Sequence, residues 1–142
     1  MPCVCRTVLV SLAAACLADA AVVKQKLAID MAGPNLLRSA VWTPWQQGFD
    51  LNGSVIRCHN GDDTVVQRGA GQHLELEQTV PTPIVATAES RAENVTGGQN
   101  ADYSLYLDIM YTDGTPQWGQ IAAFSVGTHD WEQRQVLFMP EK

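Results

Sequence analysis

In the stretch YTDGTPQWGQ, at positions 111 to 120, a turn sequence is followed by a tryptophan that lies between two glutamines. A flat aromatic ring can stack on the C–H face of a sugar, while planar amides and carboxylates beside it bind the hydroxyl groups at the rim. In the expected hairpin register, Trp118 lies opposite Asp108 or Met110. The residues of suitable type are Trp118, Gln117, Gln120, Tyr106 and Asp108, and on one exposed face they would form a ligand platform.

The competing interpretation places Trp118 in the hydrophobic core. In an alternating strand, Trp118 shares its parity with Ala122 and Phe124, so all three side chains would point to the buried face. Residue type favours the platform and parity favours the core, and the sequence leaves both interpretations open.

Two further tryptophans occur in VWTPWQQGFD, where Thr43 and a proline separate Trp42 from Trp45. Loops between strands often carry ligand contacts, so this pair could present a second aromatic edge. Alternatively, one of the two tryptophans closes the end of the core. We retain Trp42 and Trp45 as candidate ligand-binding residues.

The charge and the histidines argue against two other kinds of site. A net charge of -6 and a pI near 4.8 disfavour a nucleic-acid partner, which needs a basic surface. His59, His73 and His129 show no metal-ligand spacing, so we expect no metal site.

Catalysis also finds little support. Glu89 and Glu93 have no second acid that marks them as a hydrolytic pair, and such pairs are defined by their separation in space. Ser90 and Ser125 lack the context of a nucleophile elbow. We therefore expect a protein that is not an enzyme and rank a hydrolase last.

The first twenty residues have the pattern of a secretory signal peptide. Arg6 supplies a positive n-region, TVLVSLAAACLA is apolar, and ADA at 18 to 20 resembles a cleavage site. We expect cleavage after Ala20 and a secreted, extracellular product. No later segment reaches the roughly 20 apolar residues of a membrane-spanning helix. The sequons at Asn52 and Asn94 would be glycosylated in a eukaryotic host.

An all-β fold is expected to position these residues. DYSLYLDIMY alternates in period two, and Asp113 and Gly114 then turn the chain, which predicts a β-hairpin over 103–124. A third strand follows in WEQRQVLFM, where we expect Trp131 to lie in the core. Upstream, GSVIRCHN, AGQHLELEQTV and residues 84–91 are strand-like, and residues 21–33 form a linker or a first strand. Six or seven mostly antiparallel strands predict one β-sandwich domain over 34–142.

Several motifs resemble those of a known family. PNLLRS, WTPWQQGFD, GQHLELEQ, RAENVTG and DYSLYLDIMYTDGTPQWGQIAAFSVGTHDWEQRQVLF resemble the secreted, galactose-binding-like jelly rolls that serve as carbohydrate-binding modules. The resemblance covers most of 34–139, and it includes a phenylalanine strand and a G-x-x-x-W turn at Phe124, Gly127 and Trp131. It implies a jelly roll that binds a glycan without catalysis. The alternative is a structural or interaction domain of the same fold, a fragment of a larger extracellular protein without sugar affinity.

Two motifs of that family have no counterpart in this sequence. In the family, the N-x-x-F-E segment and the closing D-D-V segment supply the ligands of a structural calcium ion. Because both segments are missing here, we expect no calcium and no other cofactor. The first and last strands of the jelly roll are therefore expected to be incomplete. Their unpaired edges would favour self-association.

Overall fold

The computed structural model describes residues 35–142 except Ser39 and Thr64, together with the backbone of four two-residue strands nearer the N-terminus. Of these, β1 (Ala13–Ala14) pairs with β4 (Gln25–Lys26), and β2 (Leu17–Ala18) pairs with β3 (Ala21–Val22). The predicted signal peptide over 1–20 and the predicted linker or first strand over 21–33 otherwise lie outside the described residues.

The described residues form strands and turns without a helix, and each strand pair is antiparallel. This confirms the predicted all-β class. The strands are compatible with a sandwich, and the jelly-roll arrangement stays a prediction. Over the same residues, no helix has the length and apolar character needed to cross a membrane.

Residues Asn35–Glu75 form one compact unit. Its strands are β5 (Thr43–Gln46), β6 (Asp50–Asn52), β7 (Val55–Arg57) and β8 (Arg68–Gly71), in the pairs β5–β8 and β6–β7. None of the hydrophobic residues described in this unit is fully buried. Hydrogen bonds hold its ends together instead, since Gln72 accepts the Arg38 amide at 3.0 Å and donates to the Arg38 carbonyl at 2.7 Å.

Residues Leu76–Lys142 belong to a second compact unit. It contains β9 (Ile84–Val95), β10 (Ser104–Met110), β11 (Pro116–Ala123) and β12 (Gly127–Phe138), in the pairs β9–β12 and β10–β11. In the turn after β10, the Gly114 amide donates to the Tyr111 carbonyl and Asp113 accepts the Thr115 amide, both at 2.9 Å. The hairpin predicted over 103–124 is therefore confirmed.

The hydrophobic core lies in this second unit, and the side chains that build it alternate along the strands. The buried residues are Ile84, Ala92, Ile109, Tyr111, Phe124, Val136 and Phe138. The Tyr103 ring packs on Phe124 with centroids 5.3 Å apart, and its hydroxyl shares a hydrogen bond with Ser90 on β9. The inner face of the β9–β12 sheet therefore contacts the open end of the β10–β11 hairpin.

One predicted strand is absent. In AGQHLELEQTV only the first residues belong to a strand, β8, and residues 72–78 lie outside the strands. Leu74 and Leu76 are nevertheless half-buried while Glu75 and Glu77 are exposed. The alternation thus reflects a segment outside the strands whose side chains are covered in turn, which period two alone does not distinguish from a paired strand.

Candidate ligand-binding site

A β-bulge determines which way Trp118 points. Leu107 pairs with Gln120 and Ile109 pairs with Gln117, so Trp118 and Gly119 together lie opposite Asp108. Gly119 has a φ of 71°, a left-handed conformation that glycine adopts readily. Its amide donates to Asp108 Oδ1 at 2.9 Å, which fixes the bulge from the facing strand.

The bulge places Trp118 on the exposed face of the hairpin. The extra residue reverses the alternation between Trp118 and Phe124, so residues of equal parity point to opposite sides. Trp118 is 56% exposed, whereas Phe124 is 6% exposed. The interpretation of Trp118 as a core residue is therefore wrong.

Tyr106 lies on the same exposed face. A Cβ added at Gly119 would lie 3.6 Å from the Tyr106 hydroxyl, so the tyrosine extends beside the bulge. Ile121 pairs with Tyr106, and Met110 lies at the turn end of β10. Tyr106, Met110, Trp118 and Ile121 are each more than two fifths exposed, and together they form what we call the hairpin face.

Gln117 and Gln120 do not join this face. They pair with Ile109 and Leu107, and paired residues of an antiparallel ladder point to the same side. That side is the covered one, because Ile109 is buried. Both glutamines are half-buried, and Gln120 Nε2 donates to the Trp118 carbonyl at 3.1 Å. The prediction that both amides share a surface with Trp118 is therefore wrong, and the bulge is the reason.

Asp108 shares the exposed side with Trp118, as predicted, yet its Oδ1 already accepts the Gly119 amide. Its carboxylate therefore holds the bulge in place. The polar groups that the hairpin face offers a ligand are the Tyr106 hydroxyl, the Trp118 indole N–H and the remaining acceptor capacity of Asp108.

Trp42 and Trp45 belong to the Asn35–Glu75 unit. Trp45 is 51% exposed and pairs with Gly69 of β8, where an added Cβ would approach the indole to 3.4 Å. Trp42 is half-buried. Within this unit, Trp45 therefore presents an open aromatic surface and Trp42 is partly covered.

Trp131, predicted to lie in the core, is 50% exposed. His129 pairs with Ala92 and Glu132 with Ser90, so Asp130 and Trp131 together lie opposite Arg91 in a second irregularity. Val136 and Phe138, of opposite parity to Trp131, supply the buried face of β12. The Arg91 guanidinium lies over the Trp131 ring, with Cζ 5.5 Å from the centroid.

A polar network lies on the covered side of β12. Glu132 accepts the Ser125 amide and hydroxyl, and Arg134 Nη2 lies 2.6 Å from Glu132 Oε2. His129 Nε2 lies 3.5 Å from Glu132 Oε1. Ser125 bonds to a carboxylate and a guanidinium of β12, so the network joins this strand to the segment before it.

The two sequon asparagines are exposed. Asn52 ends β6 directly before the Gly53 turn, and Asn94 lies in β9 with a φ of 55°. The Asn94 amide donates to Thr128 Oγ1 at 3.0 Å, and its Oδ1 accepts from the same hydroxyl at 3.3 Å. Both side chains are therefore at positions that a modifying enzyme could reach.

Comparison of the chain with protein-family models, with curated proteins and with solved structures finds no match. The resemblance to carbohydrate-binding jelly rolls thus stays a prediction from the sequence motifs.

Proposed function

We propose that this chain is a secreted, non-catalytic protein that binds a glycan on the hairpin face. The observation that carries the proposal is the exposure of Trp118 and Tyr106 on one side of a closed hairpin. Soluble proteins seldom leave neighbouring large aromatic side chains in water without a partner for them.

The hairpin suits such a role because its backbone is fixed on both sides of the ring. The ladder runs from Ser104 paired with Ala123 to Met110 paired with Pro116, and Asp108 holds the bulge between them. A platform on a paired strand loses little conformational freedom when a ligand binds, which leaves more of the stacking energy for affinity.

The chemistry of the face fits a sugar ring. The Trp118 indole offers a flat apolar surface for axial C–H groups, and the Tyr106 hydroxyl and Asp108 carboxylate lie beside it for hydroxyl groups. Gln120 supports the strand from its covered side by donating to the Trp118 carbonyl, and Gln117 lies on the same side.

Affinity electrophoresis tests this function directly. We expect purified residues 21–142 to be retarded in native gels that contain soluble neutral polysaccharides such as galactomannan, xyloglucan or mixed-linkage glucan. Trp118→Ala should weaken retardation about tenfold, which corresponds to the loss of roughly 1.4 kcal/mol of stacking. Tyr106→Ala should weaken it less, because its hydroxyl serves the rim.

Met139→Ala is the matched control, since Met139 is 60% exposed and lies outside the hairpin face. It should bind as the wild type does, and all variants should melt near the wild-type temperature. Equal retardation of the Trp118→Ala variant and the wild type in every polysaccharide gel would refute binding at this face.

A second function of the same face is recognition of a protein. Met110 and Ile121 are 49% and 43% exposed beside the aromatic pair, and methionine and aromatic side chains are enriched at protein interfaces. In that case Trp118→Ala would abolish retention of a protein from culture medium while polysaccharide gels show no retardation of the wild type. The two functions are thus separated by the kind of ligand.

Secretion is part of the proposal and rests on the pattern of the first twenty residues. Expression of the full chain in a secretory host should release a product whose N-terminus is Ala21, as read by N-terminal sequencing. A product retained inside the cell with Met1 intact would argue against secretion.

A further inference from the structure

A second exposed tryptophan lies on the outer side of the β9–β12 sheet. We propose that Trp131, Arg91, Glu89 and Gln133, here called the sheet face, form a second glycan-binding site, so that one molecule bridges two glycan chains. The proposal takes its ligand class from the proposed function. Binding at the sheet face is tested separately from binding at the hairpin face, whereas bridging requires both faces.

The Trp131 ring is held in a defined orientation. The Arg91 guanidinium lies over the ring, and Trp131 is 50% exposed. Asp130 Oδ1 accepts the Trp131 amide at 2.8 Å, which fixes the backbone of the irregularity that carries the ring. An aromatic side chain that is both oriented and open is ready for stacking without further ordering.

Polar side chains of both kinds lie next to the ring. Glu89 pairs with Gln133, each two residues along its strand from Arg91 and Trp131, and both side chains are exposed. Rows on one face are about 7 Å apart, so this pair lies at the edge of a ring stacked on Trp131. Arg91 donates, Glu89 accepts and Gln133 does both, which matches the mixed donors and acceptors of sugar hydroxyls.

The charge of the sheet face selects among glycans. Arg91 takes part in none of the ion pairs of the described residues. Glu89 and Glu93 flank it at two residues on either side along the same outward face of β9. Two carboxylates around one guanidinium leave the surface negative, in a chain of net charge -6. A neutral polysaccharide therefore fits better than one rich in uronate or sulfate, which these carboxylates would repel.

Each face lies on the outer side of its own pair of strands. The inner face of the β9–β12 sheet contacts the hairpin through Ser90 and through Arg134, whose Nε donates to the Ala123 carbonyl at 2.8 Å. Trp131 is on the outer side of that sheet, and Trp118 is on the side of the hairpin opposite the buried Ile109. A glycan chain bound at one face leaves the other face open to a second chain.

Bridging is tested with a purified protein of residues 21–142. Light scattering after size exclusion confirms that the protein is monomeric, and it is then added to dilute galactomannan, xyloglucan or mixed-linkage glucan. We expect turbidity or a rise in viscosity at stoichiometric protein. Trp131→Ala and Arg91→Gln should each abolish bridging, and they should lower the affinity for short oligosaccharides of the same polymer by less than about threefold, since the hairpin face still binds. Trp118→Ala should abolish bridging in the same way.

The pattern across the variants separates this proposal from the function above. Loss of all binding in Trp118→Ala would leave the hairpin face as the one site and overturn the sheet face. Loss of all binding in Trp131→Ala would leave the sheet face as the one site, and it would overturn both the hairpin face and the bridging of two chains. Bridging that persists in Trp131→Ala, with Met139→Ala as control, would come from association of molecules and would also overturn the proposal. Tighter binding of a uronate polymer than of the neutral polymers would overturn its charge selection.

Discussion

Glu132 binds Ser125 through both carboxylate oxygens, with Oε1 accepting the backbone amide and Oε2 accepting the hydroxyl at 3.0 Å. Arg134, two residues after Glu132 in β12, also contacts this pair, because its Nη2 binds both Glu132 Oε2 and Ser125 Oγ. These contacts tie β12 to the segment that follows β11. The carboxylate must be ionised to accept from both groups and from the guanidinium at once.

Acid should therefore loosen this connection. Partial burial raises the pKa of Glu132, but the hydrogen bonds from Ser125 and the charges of Arg134 and His129 outweigh it, so the pKa lies below its ordinary value. A lowered pKa in the folded state contributes stability that is present above the ordinary glutamate pKa and is lost as the pH falls through the folded value. We expect the melting temperature of the wild type to fall over that acid window.

Glu132→Gln tests the origin of the effect. The variant should melt below the wild type at neutral pH, and the difference should shrink as the pH falls through the folded pKa of Glu132. Thermal melts between neutral pH and pH 3 measure this, with Glu93→Gln on the exposed side of β9 as the control. A constant difference across the series would show that Glu132 acts by packing and not by charge.

The bulge at Gly119 should be sensitive to any side chain at that position. Gly119→Ala forces an L-residue into a φ of 71°, which costs about 1 to 2 kcal/mol in the free energy of unfolding. Space is available, because the added Cβ would meet the Tyr106 hydroxyl at an ordinary 3.6 Å. Gly119→Asn should cost less, since asparagine adopts this conformation more readily.

Gly98→Ala is the matched control in urea denaturation. Gly98 is not among the glycines of positive φ, and a Cβ added there would lie 3.9 Å from Nδ2 of the Asn100 side chain. A Gly119→Ala variant as stable as Gly98→Ala would mean that the bulge is not fixed as described. It would also remove the reason why Trp118 points outward.

The same bulge explains how far the sequence could predict the site. Period two in DYSLYLDIMY and the Asp113-Gly114 turn were sufficient for the hairpin and its ends. They could not predict on which side of the hairpin Trp118 lies. Inferring that side from Phe124 assumes that side chains alternate without interruption between the two residues, and the bulge interrupts the alternation. Gly119 was the available signal, since a glycine inside a strand often marks a bulge.

The prediction that Trp131 lies in the core is wrong for a different reason. It takes Trp131 as the residue that anchors the turn, whereas Val136 and Phe138, of opposite parity, fill the inner face. Weighing these two residues against one tryptophan would have indicated the outer face. The partners of β12 could not be predicted, because pairing with β9 joins residues distant in sequence and no local pattern encodes it.

Tryptophan accessibility should reflect both irregularities in solution. Trp118, Trp131 and Trp45 are each about half exposed, so acrylamide should quench most of the emission of the folded protein. Trp118→Phe and Trp131→Phe should each remove a similar share of the quenchable emission. Had Trp131 been a core residue, its replacement would remove emission that acrylamide does not reach, and Stern–Volmer plots distinguish the two cases.

The orientation of β12 predicts opposite results for neighbouring residues. Phe138 is 7% exposed and packs in the core, so Phe138→Ala should lower the free energy of unfolding by about 3 to 5 kcal/mol. Leu137 is 43% exposed on the outer side, so Leu137→Ala should cost well under half as much. Urea denaturation of the two variants measures the difference. If Leu137→Ala proved the more damaging change, the register of β12 against β9 would be shifted by one residue, and Trp131 would lie on the covered side.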